Sequence, residues 1–363
     1  MNPSRFSFLL LIIILGATAC TPQAGTLSAP NGGYDVVDAL GRTVHFDKPP
    51  ERIILTGKAL FMIADAIYMF PQAGKRVIAT GDTNQGTGNF IAMIDPDYKN
   101  KAVLKSDAGP EQVAALNPDV VILKSYLAEK VGKPIEALKI PVVYIDFEIP
   151  EQYDRDINIL GTLFQDPTRS GAVATFFKER VDRVQANLKG LSENQKPRTL
   201  LLYYSDKDGT IAFNVPPVSW MQTRLVEMAG GLPVWKDANP GNNWATVTLE
   251  QIAVWNADAI FIISYAKDPS EVVSALKGDQ NWASLKAVKD GKLYAFAADL
   301  YSWDQPDPRW ILGLTWLSGK LHGDLTKNTD IIAEARTFYQ TLYGLDPIFF
   351  DKNIQPTFKG DIP

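Results

Sequence analysis

The residues of this chain whose types and spacing suggest chemistry are aromatic rings and a few hydrogen-bond donors, placed just beyond short apolar runs. Lys58 and Phe61 follow Ile53-Ile54-Leu55, Asn84 and Gln85 follow the run ending at Thr80, and Lys124, Ser125 and Tyr126 follow Val120-Val121-Ile122-Leu123. In the second half Ser205, Asn214, Trp220, Trp244, Tyr265, Tyr301, Trp303 and Arg309 occupy comparable places. Continuous apolar runs of this length read as strands buried on both faces, and in open α/β sheets ligands lie beyond the carboxyl ends of the strands. Aromatic walls with a few donors suit a bulky, partly apolar ligand carrying anionic or oxygen-rich groups. Arg309 follows Pro308 at an expected helix start, where helix dipole and guanidinium both favour an anion. About half of the set should face a cleft and the rest belong to the core.

The same inventory excludes other chemistries. The chain has two histidines, His45 and His322, and no H-E-x-x-H, G-x-S-x-G, Walker-type loop or G-x-G-x-x-G. His322 reads as a favourable charge near a helix C-terminus. A closed metal site wants several His, Cys or carboxylate ligands together, so no directly bound metal and no cofactor is expected. No catalytic residue can be named, because an enzyme would need a general base that the sequence does not point to. The formal charge of -5 and the lack of any Lys/Arg block argue against a nucleic-acid partner.

These candidates must be positioned by two halves that echo each other around one long helix. Asp166 or Thr168 can cap it, Pro167 fits a first helical position, and Val173, Phe176, Phe177, Val181, Val184 and Leu188 recur at helical spacing. Lys178, Glu179, Arg180, Asp182, Arg183 and Lys189 fill its other face until Gly190 and Pro197 close the segment Asp166 to Leu191. The stretch Glu111 to Leu123 is repeated 139 residues later by Glu250 to Ile262, with five identities. Each copy reads as a short amphipathic helix, an Asn-x-Asp turn and a buried strand, a pair of pseudo-symmetric lobes.

The expected fold is therefore α/β, two doubly wound lobes bridged by one long α-helix, with lobes at 34–165 and 192–363 and the helix at 166–191. Tyr34 to Phe46 reads as an entry hairpin. Further strands are expected at Arg76 to Thr80, Val142 to Ile145, Thr199 to Tyr204, Ile211 to Asn214, Ala259 to Ile263 and Leu293 to Ala297. A helical join should limit the lobes to small relative motions.

The N-terminus reads as a targeting segment. Arg5 precedes a ten-residue run, Phe6 to Leu15, that is apolar but for Ser7 and too short to cross a hydrocarbon core, and Gly16-Ala17-Thr18-Ala19 lead to Cys20, the one cysteine. Small residues before a cysteine resemble a bacterial lipobox, with residues 1–19 removed and a lipid placed on Cys20. Ala17 stands where that pattern most often has Leu. Residues 20–33 have the composition of a flexible tether, and the mature domain has no internal disulfide.

Taken in order, the lipobox, Asp38-Ala39-Leu40-Gly41-Arg42-Thr43-Val44 with Pro49-Pro50-Glu51-Arg52-Ile53, the stretch Trp282 to Tyr294 and the closing Pro308-Arg309 helix resemble the periplasmic binding proteins of iron-siderophore and cobalamin importers. The resemblance implies a monomeric, non-enzymatic receptor that captures a metal chelate and delivers it to an ABC permease dimer with its ATPase. It also implies that Glu111 and Glu250, one on each lobe, dock onto permease arginines, and that the protein is exported and lipid-anchored at the outer face of the cytoplasmic membrane or in the periplasm. The run Trp303 to Trp310, continuing through Trp316-Leu317, also resembles a branch of the fold used for molybdate or tungstate, for which Arg309, Lys58 and Asn84 would supply donors. A lipid-anchored enzyme or scaffold on the same fold is the reading from another class.

Overall fold

Short apolar runs rich in β-branched residues become strands, and the amphipathic stretches between them become the helices that cover both faces of two sheets. The computed structural model describes residues 32–81, 86–105, 107–207, 209–326 and 329–363, so Cys20, most of the tether, Asn84 and Gln85 lie outside the described residues. An antiparallel hairpin, β1 (Tyr34–Val37) and β2 (Thr43–Phe46), opens the described chain. Its turn is held by Asp38, whose carboxylate accepts from the Leu40 and Arg42 amides at 3.0 and 3.1 Å. Arg42 then lies 4.3 Å over the Tyr144 ring, fastening the hairpin to the first sheet.

That sheet contains β3 (Ile53–Leu55), β4 (Val77–Gly81), β5 (Ala102–Leu104), β6 (Val120–Lys124) and β7 (Val142–Ile145), in the order β5-β4-β3-β6-β7 with every pair parallel. The order reverses between β3 and β6, the switch point where a doubly wound sheet opens a crevice.

The second sheet contains β8 (Arg198–Lys207), β9 (Thr210–Val215), β10 (Leu232–Pro233), β11 (Ala245–Val247), β12 (Ala259–Ile263) and β13 (Leu293–Ala295), in the order β11-β9-β8-β12-β13 with β10 beside β8. Here β8, β12 and β13 are parallel, whereas β9 runs antiparallel to both of its neighbours, β8 and β11. The cause is local: only residues 208 and 209 connect β8 to β9, and parallel neighbours need a crossover of a dozen residues or more. The second sheet is thus parallel from β8 toward β13 and antiparallel from β8 toward β11, with a tight hairpin joining β8 to β9.

The bridging helix runs Pro167–Asn187, capped by Asp166, which accepts from the Arg169 amide at 2.9 Å. Val173, Phe176, Phe177 and Val184 are buried, as their spacing predicts, and Phe177 stacks on Trp310 at 5.6 Å. Arg180 departs from the expected polar face. The C-terminal helix Ile331–Tyr343 covers it, and Arg180 lies 3.3 Å over the Phe176 ring and 3.2 Å from Glu334.

The sequence echo has a structural counterpart. Arg52 donates to the Leu116 and Asn117 carbonyls at 2.6 and 2.8 Å, while its amide donates to Asp119. Arg198 donates to the Trp255 carbonyl at 2.7 Å and its amide to Asp258. Asn117 and Asn256 both take a left-handed conformation, φ 48° and 44°, at the ends of the two repeated helices. Among the described residues no helix is long and apolar enough to cross a membrane.

Candidate functional site

A cavity of about 810 Å³ opens between the lobes at the carboxyl ends of their strands. The first lobe supplies Ala59 and Met62 after β3, Tyr126 after β6, and Glu148, Ile149 and Gln152 after β7. Asp156, fully buried, fixes the last of these loops by accepting from the Asp146 and Phe147 amides at 2.8 and 2.7 Å. Glu148 in turn pairs with Lys124, whose side chain is buried behind the lining and reaches within 3.5 Å of the Met62 sulfur.

The second lobe supplies an aromatic wall. Trp220 and Trp244 meet edge to face at 5.5 Å, and Tyr265 stacks at 4.8 Å on Tyr203 behind it. The Tyr265 hydroxyl donates to buried Asp304 at 2.7 Å, and Gln222 donates to the same oxygen at 3.1 Å. Burial raises the Asp304 carboxyl above its ordinary range, and burial next to Asp304 pushes the Tyr265 hydroxyl well above its own, so this phenol stays neutral. Ser219, Asn242, Asn243 and Gln305 add neutral polar groups to the lining.

Of the residues predicted from sequence, Tyr126, Trp220, Trp244 and Tyr265 come together on this cavity. Lys58 is exposed next to Ala59 and is not part of the lining. Phe61, Tyr301 and Arg309 are buried in the seam between the lobes instead, and Trp303 is buried within the second lobe against Phe358. Phe61 stacks on Tyr301 at 4.5 Å, and Trp303 donates from its indole to Asp299 at 3.1 Å. Arg309 is no anion receptor on a cleft wall: its guanidinium meets Asp65 at 2.5 Å and Asp299 at 3.0 Å, with all three side chains withdrawn from solvent. Asn214 is committed to the second sheet, donating toward Tyr203 and accepting from Thr246 at 2.8 Å. His322 is buried against the Gly230 carbonyl, and burial lowers its pKa, so it does not act as the expected surface charge. Glu111 and Glu250 are exposed in the first turns of Pro110–Ala114 and Leu249–Trp255.

Sequence reasoning missed Glu148, Gln152, Gln222 and Gln305. Gln305 stands inside the aromatic run that contains Trp303, and Asn242-Asn243 directly precede Trp244, so proximity to those rings was the available signal. No group of three or more His, Cys, Asp or Glu side chains suited to a metal ion occurs among the described residues.

Residues 84–300 match a family model described as a periplasmic binding protein. The chain is 27% identical over 279 residues to the molybdate-binding protein MolA of Haemophilus influenzae, covering 70% of this chain and 76% of that one. It is 21% identical over 312 residues to the iron-uptake system-binding protein of Bacillus subtilis, covering 82% and 92%. A periplasmic solute binding protein from Veillonella parvula shares the fold with a TM-score of 0.70 at 23% identity, over 90% of this chain and 99% of that one. With more than half its length matched and two lobes enclosing a cleft, the chain belongs to the periplasmic binding proteins, the exported substrate receptors of ABC importers.

Proposed function

We propose that this receptor captures a bulky metal chelate, of iron-siderophore, haem or cobalamin kind, between its lobes and delivers it to a permease dimer driven by an ATPase. The observation that carries the reading is the cavity of about 810 Å³ walled by Trp220, Trp244, Tyr265 and Tyr126. That volume is of the order that encloses a drug-sized ligand, and flat aromatic faces gain most from a large, partly apolar partner. The similarity to an iron-uptake system-binding protein points the same way. A second reading, capture of molybdate or tungstate, is favoured by the similarity to MolA. It would rely on neutral donors such as Asn242, Asn243 and Ser219 closing around four oxygens.

Calorimetric titration of the chain from Thr21 onward, against ferric hydroxamates and catecholates, cobalamin, haem, molybdate and tungstate, tests both. Saturable one-to-one binding of a chelate, with quenching of tryptophan fluorescence, is the expected result. Binding of an oxyanion alone would replace the first reading by the second, and no heat with any ligand would refute both.

The sequence before Gly32 supports anchoring through a lipid on Cys20. Cys20→Ser should then shift the protein from the membrane fraction to the soluble one, and an unchanged distribution would remove the anchor.

A further inference from the structure

We propose that Gln305 selects the cargo, and that the cargo is an uncharged metal chelate whose rim carries carboxamide or peptide-amide groups. This rests on the chelate-receptor reading above. Gln305 is only 2% exposed, yet it lines the cavity, and neither its Nε2 nor its Oε1 has a hydrogen-bond partner among the described residues. A buried primary amide left unpaired costs free energy that a hydrogen-bonding partner would return. Its backbone is held in place: its amide donates to the Ser302 carbonyl at 3.3 Å, its carbonyl accepts from the Asp307 amide at 2.8 Å, and Pro306 follows.

The neighbouring polar groups are already engaged. Tyr265 and Gln222 both donate to Asp304, and Asn242 and Asn243 are exposed to solvent, which leaves Gln305 as the buried wall amide with donor and acceptor both free. A primary amide presents N–H beside C=O, so its complement is an edge that presents both as well. An oxyanion offers acceptors only, and it would set its oxygens against Oε1. Charge agrees with this choice. The one formally charged side chain of the lining is Glu148, already paired with buried Lys124, and the hydroxyl of Tyr126 adds a donor without charge. An anionic chelate would therefore meet a carboxylate and no lining cation, whereas an uncharged one meets rings and amides.

The test compares the native protein with Gln305→Met and Gln305→Glu by calorimetry and tryptophan quenching. The ligands are cyanocobalamin and an amide-bearing cyclic ferric trihydroxamate on one side, and ferric tris-catecholate, haem and molybdate on the other. The native protein should prefer an amide-bearing, uncharged ligand, and Gln305→Met should weaken that binding by about 10-fold or more. Its melting temperature should stay level or rise, because an unpaired buried amide has been replaced by an apolar side chain of similar length. Undiminished affinity in Gln305→Met, or a lower melting temperature with unchanged affinity, would overturn the assignment. Native preference for an anionic ligand would overturn it while leaving the receptor standing, and no binding of any ligand would overturn both.

Discussion

Three carboxylates surround the one guanidinium of Arg309: Asp65 from the first lobe, and Asp299 and Asp307 from the second. Phe90 and Tyr301 stack against it at 4.7 and 4.9 Å, and Tyr339 donates to Asp299. Negative charge is in excess and water is excluded. Burial accordingly pushes Asp307 up to about 8 and Asp65 up to about 6, against the pull of Arg309. Both folded values lie above the ordinary 3.8, so between that value and about 8 the folded protein holds protons the unfolded chain has released. Stability contributed by this cluster is therefore full at low pH and falls as pH rises through that window. Urea unfolding should show Asp307→Asn flattening the decline above about pH 6. Arg309→Met should cost about 3–5 kcal/mol near neutral pH and less near pH 5, where the stranded carboxylates are protonated. A pH-independent loss would remove this account.

At the scale of elements, the bridging helix acts through its first turn as much as through its length. Arg169 donates to the Met69 carbonyl at 2.6 Å in the first lobe, and to Thr341 and Leu342 at 3.1 and 2.5 Å in the C-terminal helix. One side chain thus joins three elements by charge-assisted bonds. Arg169→Ala should lower unfolding free energy by about 2–3 kcal/mol, and Arg169→Lys, which lacks the fork, should recover only part of it. The helix Trp310–Leu321 lies flush against the backbone of Trp303 at Gly313, where a Cβ would come within 2.1 Å of the Trp303 carbonyl oxygen. Gly313→Ala must push that loop away and should cost about 1–3 kcal/mol or more. Since the same loop carries Asp304 and Gln305, calorimetry should show weaker ligand binding in this variant as well. Unaltered stability would mean that the helix slides freely at this point.

The lobes are sewn together by residues outside the cavity lining. Tyr343 donates to the Asp65 carbonyl at 3.1 Å, the Thr87 amide to the Leu300 carbonyl at 2.8 Å, and Phe61 stacks on Tyr301. Gly86, at φ +83°, allows that approach, because a Cβ there would sit 2.3 Å from the Leu300 oxygen. A seam of buried ion pairs and stacked rings resists hinge opening, so X-ray scattering should give the same radius of gyration with and without ligand. A marked compaction would show that the seam opens. Glu111 and Glu250, at the starts of equivalent helices whose far ends are tied down by Arg52 and Arg198, suit a partner with two-fold symmetry. Reversing both charges to Lys should abolish uptake while leaving ligand affinity unchanged; retained uptake would refute docking through these residues.

Local periodicity settled much of this protein. The apolar runs at Val120 to Leu123 and Ala259 to Ile263 are strands, Val173, Phe176, Phe177 and Val184 are the buried stripe of the bridging helix, and the echoed Glu–Asn–Asp segments fold alike. Each depends on interactions within a few residues, which a sequence displays directly. The pairing direction of β9 was legible too, because the six residues between the expected strands Thr199 to Tyr204 and Ile211 to Asn214 are already too few for a parallel crossover. Which aromatic residues face the ligand was decided elsewhere. Trp244 and Trp303 carry the same ring, but one lines the cleft and the other lies at 0% exposure against Phe358. Arg309 meets Asp65 across 244 residues, so its apparent vacancy as an anion site ended only when the second lobe closed on the first. Burial and charge pairing belong to surfaces brought together by the whole fold, and for that reason the sequence determined the elements while the tertiary structure chose the site.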